Sequence, residues 1–288
     1  MPTTNVSSAE ERRAADRDRI EHAARALLSS EGWHRWVQVR SRNGLARYSF
    51  GNQLLIALQN PDATYVAGFR AFLDLGRCVR KGERGIRIHA PMPPLKKEND
   101  DEEDGRQAIR FRSVAVFDVS QTDPLPDTEP VALEPPAAPI TGDSHAHLLP
   151  KLEVLASELG YRVSFQAIAG SHEGSCDSKR RVITVNASLA VNAQVRVLVH
   201  ELAHAQGIDY TAYTREQAEV IVDTAAIIVC GSAGLDVTGD AIPYIAGWGE
   251  NGALDAVRGF AAEIDRVARR IEEGMSPRLS PSSRVDEA

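Results

Sequence analysis

No stretch of this chain approaches the roughly 18 consecutive apolar residues that a membrane-crossing helix needs, so a spanning protein is excluded and no membrane partner is expected. Cysteine is scarce and odd in number. Cys78, Cys176 and Cys230 lie far apart, which argues against a disulfide framework and for a reducing, cytoplasmic setting. The first twenty residues, "MPTTNVSSAEERRAADRDRI", lack the apolar core of a secretory signal and are too acidic for a transit peptide. Basic charge is also short overall, with a net −7 that taken alone speaks against nucleic acid.

That average hides an asymmetry. Between Glu31 and Met92 there are ten Lys and Arg against four Asp and Glu, and seven of the sixteen aromatic residues fall there too. The 288 residues allow two modest domains, and 43% apolar content is enough to bury real cores.

Local patterns indicate an α+β chain. Ser8 and Glu11 make a capping box for a helix over 8–29, and a second helix is expected near Ser49–Gln59, stopped by Pro61. The stretch before that helix, from "EGWHRWVQVR" onward, reads as a basic loop. "YVAGFRAFLDLG" reads as a strand entering a short helix, "CVRKGERGIRIHAP" as a glycine-rich hairpin and "FRSVAVFDVS" as a further strand. "KKENDDEEDGRQ" between them is a solvated loop. The segment "QTDPLPDTEPVALEPPAAPITGD" carries six prolines and is the best boundary. The expected organisation is therefore a domain over 1–121, a linker over 122–142, a second domain over 143–274 and a disordered tail over 275–288. In the second domain, helices are expected near Ala190–Gln206, Arg215–Ser232 and Gly252–Glu273, with strands at "YRVSFQAI" and "CDSKRRVITVN".

The chemistry concentrates in "VLVHELAHAQGIDY". His200 and His204 are four apart, so a helix puts both imidazoles on one face, with Glu201 leaning the same way. Two imidazoles and a third donor from elsewhere suit zinc with an open position for water, and Glu201 is then placed to take the proton as that water attacks a carbonyl. A metzincin-type third ligand fails here, because Gly207 is in place but Tyr210 stands where the ligand belongs. Glu216 and Glu219 both qualify by distance. Glu219 is preferred, since Asp223 lies one turn on and can accept a hydrogen bond from a ligating histidine. The other role for Glu216 is a first-turn acid that favours the helix dipole. "RRVITVN" can be either a peptide-aligning edge or sheet core. Tyr210, Tyr213, Tyr244 and Arg215 are all candidates to stabilise an oxyanion.

In the basic half, Trp33, Trp36, Arg40, Arg42, Arg47 and Tyr48 cluster, while Arg77, Arg80, Lys81, Arg84 and Arg87 decorate the glycine-rich segment. Cations along a groove with aromatic faces between them bind unpaired bases, whereas Tyr65, Phe69 and Phe72 read as core.

The motifs "RYSFGNQLLIAL", "GFRAFLDLGRCVRKGERGIRI" and "VAVFDVSQTD" resemble the N-terminal domain of ArdC-type antirestriction proteins. "HELAHAQG", "REQAEVIVDTAAIIVCGSAGLD" and "YIAGW" resemble their zincin-like C-terminal domain, which is related to ImmA/IrrE metalloproteases. The resemblance runs roughly from Trp33 to Arg269. It implies a protein of mobile elements that binds single-stranded DNA through its first half and protects incoming DNA from restriction. It also implies His200, His204 and Glu219 as metal ligands and Glu201 as the catalytic carboxylate. Two rivals follow: a regulatory metalloprotease acting on a protein such as a repressor, and a non-enzymatic DNA-binding module with a structural metal.

Overall fold

A computed structural model describes residues 18–19, 21–42, 45, 47–92, 111–126, 128, 138–236 and 254–276. The start of the expected helix over 8–29, the acidic loop, most of the proline-rich segment, Tyr244 with the "YIAGW" motif, and the tail after 276 lie outside these residues. The chain divides into two compact units, 1–135 with 244–259, and 136–243 with 260–288.

In the first unit the expected basic loop is instead a helix, α1 (Ser30–Arg40). Ser29 caps it by accepting from the Gly32 N–H, Glu31 sits in its first turn, and Trp33, Trp36, Val37 and Arg40 recur at helical spacing on the buried side. A second helix, α2 (Phe50–Gln59), is capped in the same way by Ser49, whose side chain accepts from the Asn52 N–H. Trp36 joins the two, edge-on to Phe50 with ring centroids 5.6 Å apart. Three antiparallel strands follow, β1 (Val66–Ala67), β4 (Phe111–Asp118) and β3 (Ile86–Pro91), ordered β1-β4-β3, with α3 (Phe69–Asp74) after β1. Ile86, Ile88 and Val116 point inward onto Val39, Leu45 and Ile56.

The glycine-rich segment does not close on itself as a hairpin. β2 (Arg77–Val79) pairs with β5 (Thr122–Pro124), while β3 pairs with β4. Three residues read as the start of the linker are therefore a strand. Sequence windows see only neighbours, and this pairing joins residues more than forty positions apart.

The outer edge of β3 is closed by two side-chain amides from α2. Asn52 donates to the His89 carbonyl (2.8 Å) and accepts from its N–H (2.9 Å); Gln59 does the same to Arg87, at 2.9 Å each way. Each amide imitates a strand, so the open hydrogen-bonding edge that invites strand addition is satisfied within the unit.

In the second unit, α4 (Leu149–Glu158) precedes a mixed sheet ordered β7-β9-β8: β7 (Arg162–Gln166), β9 (Val182–Asn186) and β8 (Gly174–Asp177). β7 and β9 are parallel; β8 and β9 are antiparallel. "RRVITVN" thus supplies the central strand, and the edge beside the next helix is β8. α5 (Val191–Ala205) packs on β8 and β9 with one face and on α6 (Arg215–Ser232) with another. α6 begins with a capping box between Thr214 and Gln217. A short parallel pair, β6 (Ala138–Pro139) with β10 (Leu235–Asp236), and α7 (Leu254–Met275), which belongs to this unit from Phe260 onward, complete the described elements. No helix of the described residues is long and apolar enough to cross a membrane.

Candidate metal centre

α5 is amphipathic in the ordinary way, with Val195, Leu198, Val199 and Leu202 fully buried. His200 and His204 occupy its flank facing α6, their ring centroids 5.1 Å apart. From α6, Glu219 turns Oε2 toward both: 3.7 Å from His200 Nε2 and 3.9 Å from His204 Nε2. One donor atom from each of the three lies within 4.8 Å of the others, and no other such trio occurs among the described residues. Glu216, the alternative third ligand, is exposed in the first turn of α6 and is not part of the trio.

The remaining nitrogen of each imidazole is already committed. His200 Nδ1 faces the Asp223 carboxylate at 3.0 Å, and His204 Nδ1 lies 2.7 Å from the Ile208 carbonyl. A carbonyl only accepts, so Nδ1 of His204 carries its proton and Nε2 presents a lone pair to the trio. Asp223 fixes His200 in the same tautomer. Donor atoms around a tetrahedral zinc at about 2.0–2.1 Å stand roughly 3.3 Å apart, so each imidazole nitrogen needs to close on Glu219 Oε2 by only about half an ångström. Two imidazole nitrogens with a carboxylate oxygen also suit other divalent transition metals.

Electrostatics divide the roles. Glu201 is 6% exposed. Burial pushes its carboxyl up to about 7, with His200 opposing and Glu219 reinforcing the rise. For His200, burial disfavours the charge but Asp223, Glu201 and Glu219 together outweigh it, and its pKa rises. For His204, burial prevails over the Ile208 carbonyl, with His200 adding to it, and its pKa falls.

Two contributors to the site carry little sequence signal. Gly174, on the edge strand β8, is one: a Cβ there would come within 2.5 Å of Val197 Cγ1 and 3.0 Å of Glu201 Oε1. Only a bare backbone leaves Glu201 its place, and a lone glycine in a strand is the sole hint. Tyr210 is the other. Its hydroxyl donates to Glu219 Oε1 at 2.5 Å, and its ring meets that of His204 with centroids 6.0 Å apart. The hydrogen bond to Glu219 is the first cause lifting the Tyr210 phenol to about 12, so it stays a donor at neutral pH. Tyr213 packs beside Phe260 instead, and Arg215 lies over the Tyr210 ring at 5.9 Å.

The residues expected to meet DNA are divided by the structure. Trp33 and Arg40 are fully buried and Trp36 is 1% exposed. They cannot offer faces to unpaired bases, and that expectation is corrected: at i, i+3 and i+7 they form the inner face of α1. Arg42 donates to the Asp62 and Ala63 carbonyls, and the half-buried Tyr48 donates to the Val66 carbonyl. Arg47 is exposed but spans the Tyr65 ring at 4.6 Å and donates to the same Val66 carbonyl and to the Tyr65 hydroxyl. Arg77 donates to Thr122; Arg80 is exposed and holds Glu83, Asp123 and the Ser120 carbonyl. Lys81, Arg84 and Arg87 are exposed. Phe69, expected in the core, is 48% exposed, and Phe111 is 58% exposed.

Residues 23–117 match the family described as the N-terminal domain of anti-restriction factor ArdC. The fold also aligns with the metal-free crystal structure of the antirestriction protein ArdC from plasmid R388. That alignment has a TM-score of 0.53 at 17% identity, covering 89% of this chain and 94% of that one. Residues 23–117 are an ArdC-type N-terminal domain. The Mn(II)-bound structure of the R388 protein aligns with a TM-score of 0.49, also at 17% identity, over 89% of this chain and 98% of its own. The uncharacterised protein pXO2-81 of Bacillus anthracis is 25% identical over 268 residues, 80% of the chain. This chain spans only 44% of that relative's length.

Proposed function

We propose that this protein is an ArdC-type antirestriction factor of two parts: a first unit that binds single-stranded DNA, and a zincin-like second unit that holds one divalent metal. Zinc is the metal we assign to it. The observation that supports this reading is the convergence of His200 Nε2, His204 Nε2 and Glu219 Oε2 with the buried, proton-accepting Glu201 alongside. A bound zinc would supply Lewis acidity, polarising a carbonyl and acidifying water. Glu201, balanced near neutrality, takes the proton of the attacking water and passes it to the leaving nitrogen. Asp223 and the Ile208 carbonyl keep both imidazoles turned so that Nε2 faces the cation. Gly174 leaves β8 close enough for an extended chain to lie past the Glu201 carboxylate.

On the DNA side, the exposed cations include Lys81, Arg84 and Arg87, joined by Arg47 and Arg80 once phosphates displace their present partners, with Phe69 and Phe111 as exposed rings. The open edge of β8 beside Glu201 favours a second reading, a regulatory metalloprotease of the ImmA/IrrE kind that cleaves a protein partner.

Glu201→Gln in the full chain tests both. It removes the proton acceptor while keeping size and hydrogen bonding. The first reading expects labelled single strands to bind wild type and variant alike. About five phosphate contacts at a slope near −0.7 each should weaken that binding about a hundred-fold between 50 and 200 mM salt. Protection of unmodified DNA from restriction should then survive the substitution. Protection lost while DNA binding persists favours the protease. No binding to single strands at low salt sinks the DNA-binding half.

A further inference from the structure

Tyr210 stands at the position where a related spacing would demand a metal ligand, yet its oxygen is engaged with a carboxylate instead. The hydroxyl donates to Glu219 Oε1 at 2.5 Å, while Glu219 Oε2 is the atom that faces the two imidazoles at 3.7 and 3.9 Å. The two oxygens of one carboxylate therefore have separate tasks.

The phenol's placement is built rather than incidental. Gly207 leaves α5 at a φ of 91°, a left-handed turn that starts the connecting loop. Asp209 then braces that loop, accepting through Oδ1 from the Thr211 N–H at 2.9 Å, the Thr211 hydroxyl at 2.5 Å and the Ala212 N–H at 3.3 Å. The Tyr213 N–H returns to the Asp209 carbonyl at 3.1 Å. The Tyr210 ring lies between the His204 imidazole and the Arg215 guanidinium. The residue is 56% exposed, so burial of its ring is not what brings the hydroxyl to Glu219.

We propose that Tyr210 is a positioning residue that restricts Glu219 to coordination through Oε2 alone, and so preserves an open position for water or substrate. The inference rests on the metal reading above. With its hydroxyl removed, the Glu219 carboxylate is released to rotate about its terminal bond and present both oxygens. The protein would then supply four donors instead of three, and with a water the cation would have five. Zinc sites tolerate four or five donors, so the hydrogen bond selects between states close in energy.

Cobalt(II) reports this directly, because its visible absorption is strong in tetrahedral fields and weak once a fifth donor breaks the symmetry. The full chain is stripped of metal and titrated with Co(II), alongside Tyr210→Phe, which keeps the ring contacts and deletes one oxygen. Wild type is expected to give an intense tetrahedral band at one Co(II) per chain. Tyr210→Phe at saturation should give a band about two-fold or more weaker. Equal spectra at saturation overturn the role of Tyr210 and leave the metal site standing. A variant that binds no cobalt overturns it too, since the hydroxyl would then hold the ligand set together rather than fix its denticity. If wild type itself takes up no cobalt, the underlying metal reading fails as well.

Discussion

His204→Ala is expected to abolish metal binding while leaving the chain folded. Two donors on different helices then remain, His200 from α5 and Glu219 from α6, and neither can close a coordination sphere. Loss of groups that only orient ligands costs about 10–100-fold in affinity, so loss of a donor itself should exceed roughly a thousand-fold. The folded state should tolerate the change, because His204 is only partly buried while the fully buried Leu198, Leu202, Ile221 and Val222 of the two helices are untouched. Asp223→Ala is the graded companion: it frees His200 Nδ1 without removing a donor, and should fall in the 10–100-fold range. Competition against a chelator measures both. Tight binding of one metal by His204→Ala would place the ligand set elsewhere.

The second large effect is on stability in the absence of metal. Glu201 is held at about 7 in the folded chain, against about 4.5 when unfolded. Between those values the folded state binds more protons than the unfolded one, so its stability falls as pH rises through this window. A difference of about 2.5 units corresponds to about 3 kcal/mol, complete above roughly pH 8. The raised pKa of His200 acts in the same direction, its contribution being lost as pH climbs through its folded value. His204 acts oppositely, favouring the folded state less as pH drops. Glu201→Gln isolates the carboxyl. Denaturant unfolding of chelator-treated protein should show the variant gaining about 3 kcal/mol on wild type between pH 5 and pH 8. Parallel stability curves would mean that Glu201 is not desolvated as described. A carboxylate that weakens its own fold at neutral pH is a feature expected where function, not stability, chose the residue.

What was legible in the sequence follows from the range of the forces involved. The His-Glu-x-x-His spacing is a statement about one helix face, and i, i+4 geometry fixes that locally. Asp223 one turn after Glu219 is equally local, which is why the pair stood apart from Glu216. Non-local features were opaque. The β2–β5 pairing, the central place of "RRVITVN" and the closure of β3 by Asn52 and Gln59 all depend on segments brought together by the fold. The tryptophans of α1 show a further limit: aromatic residues among arginines look alike whether they stack on bases or on Phe50, and only burial separates the two. Tyr210 was visible as a departure from a ligand pattern, but its hydrogen bond to Glu219 needed the loop braced by Asp209.

Anomalous diffraction at the zinc absorption edge, from crystals of the full chain grown with zinc, tests the central claim most directly. The account predicts one peak in the second unit, about 2.0–2.2 Å from His200 Nε2, His204 Nε2 and Glu219 Oε2. A peak held by other residues, Glu216 among them, or no peak at this trio, would contradict it.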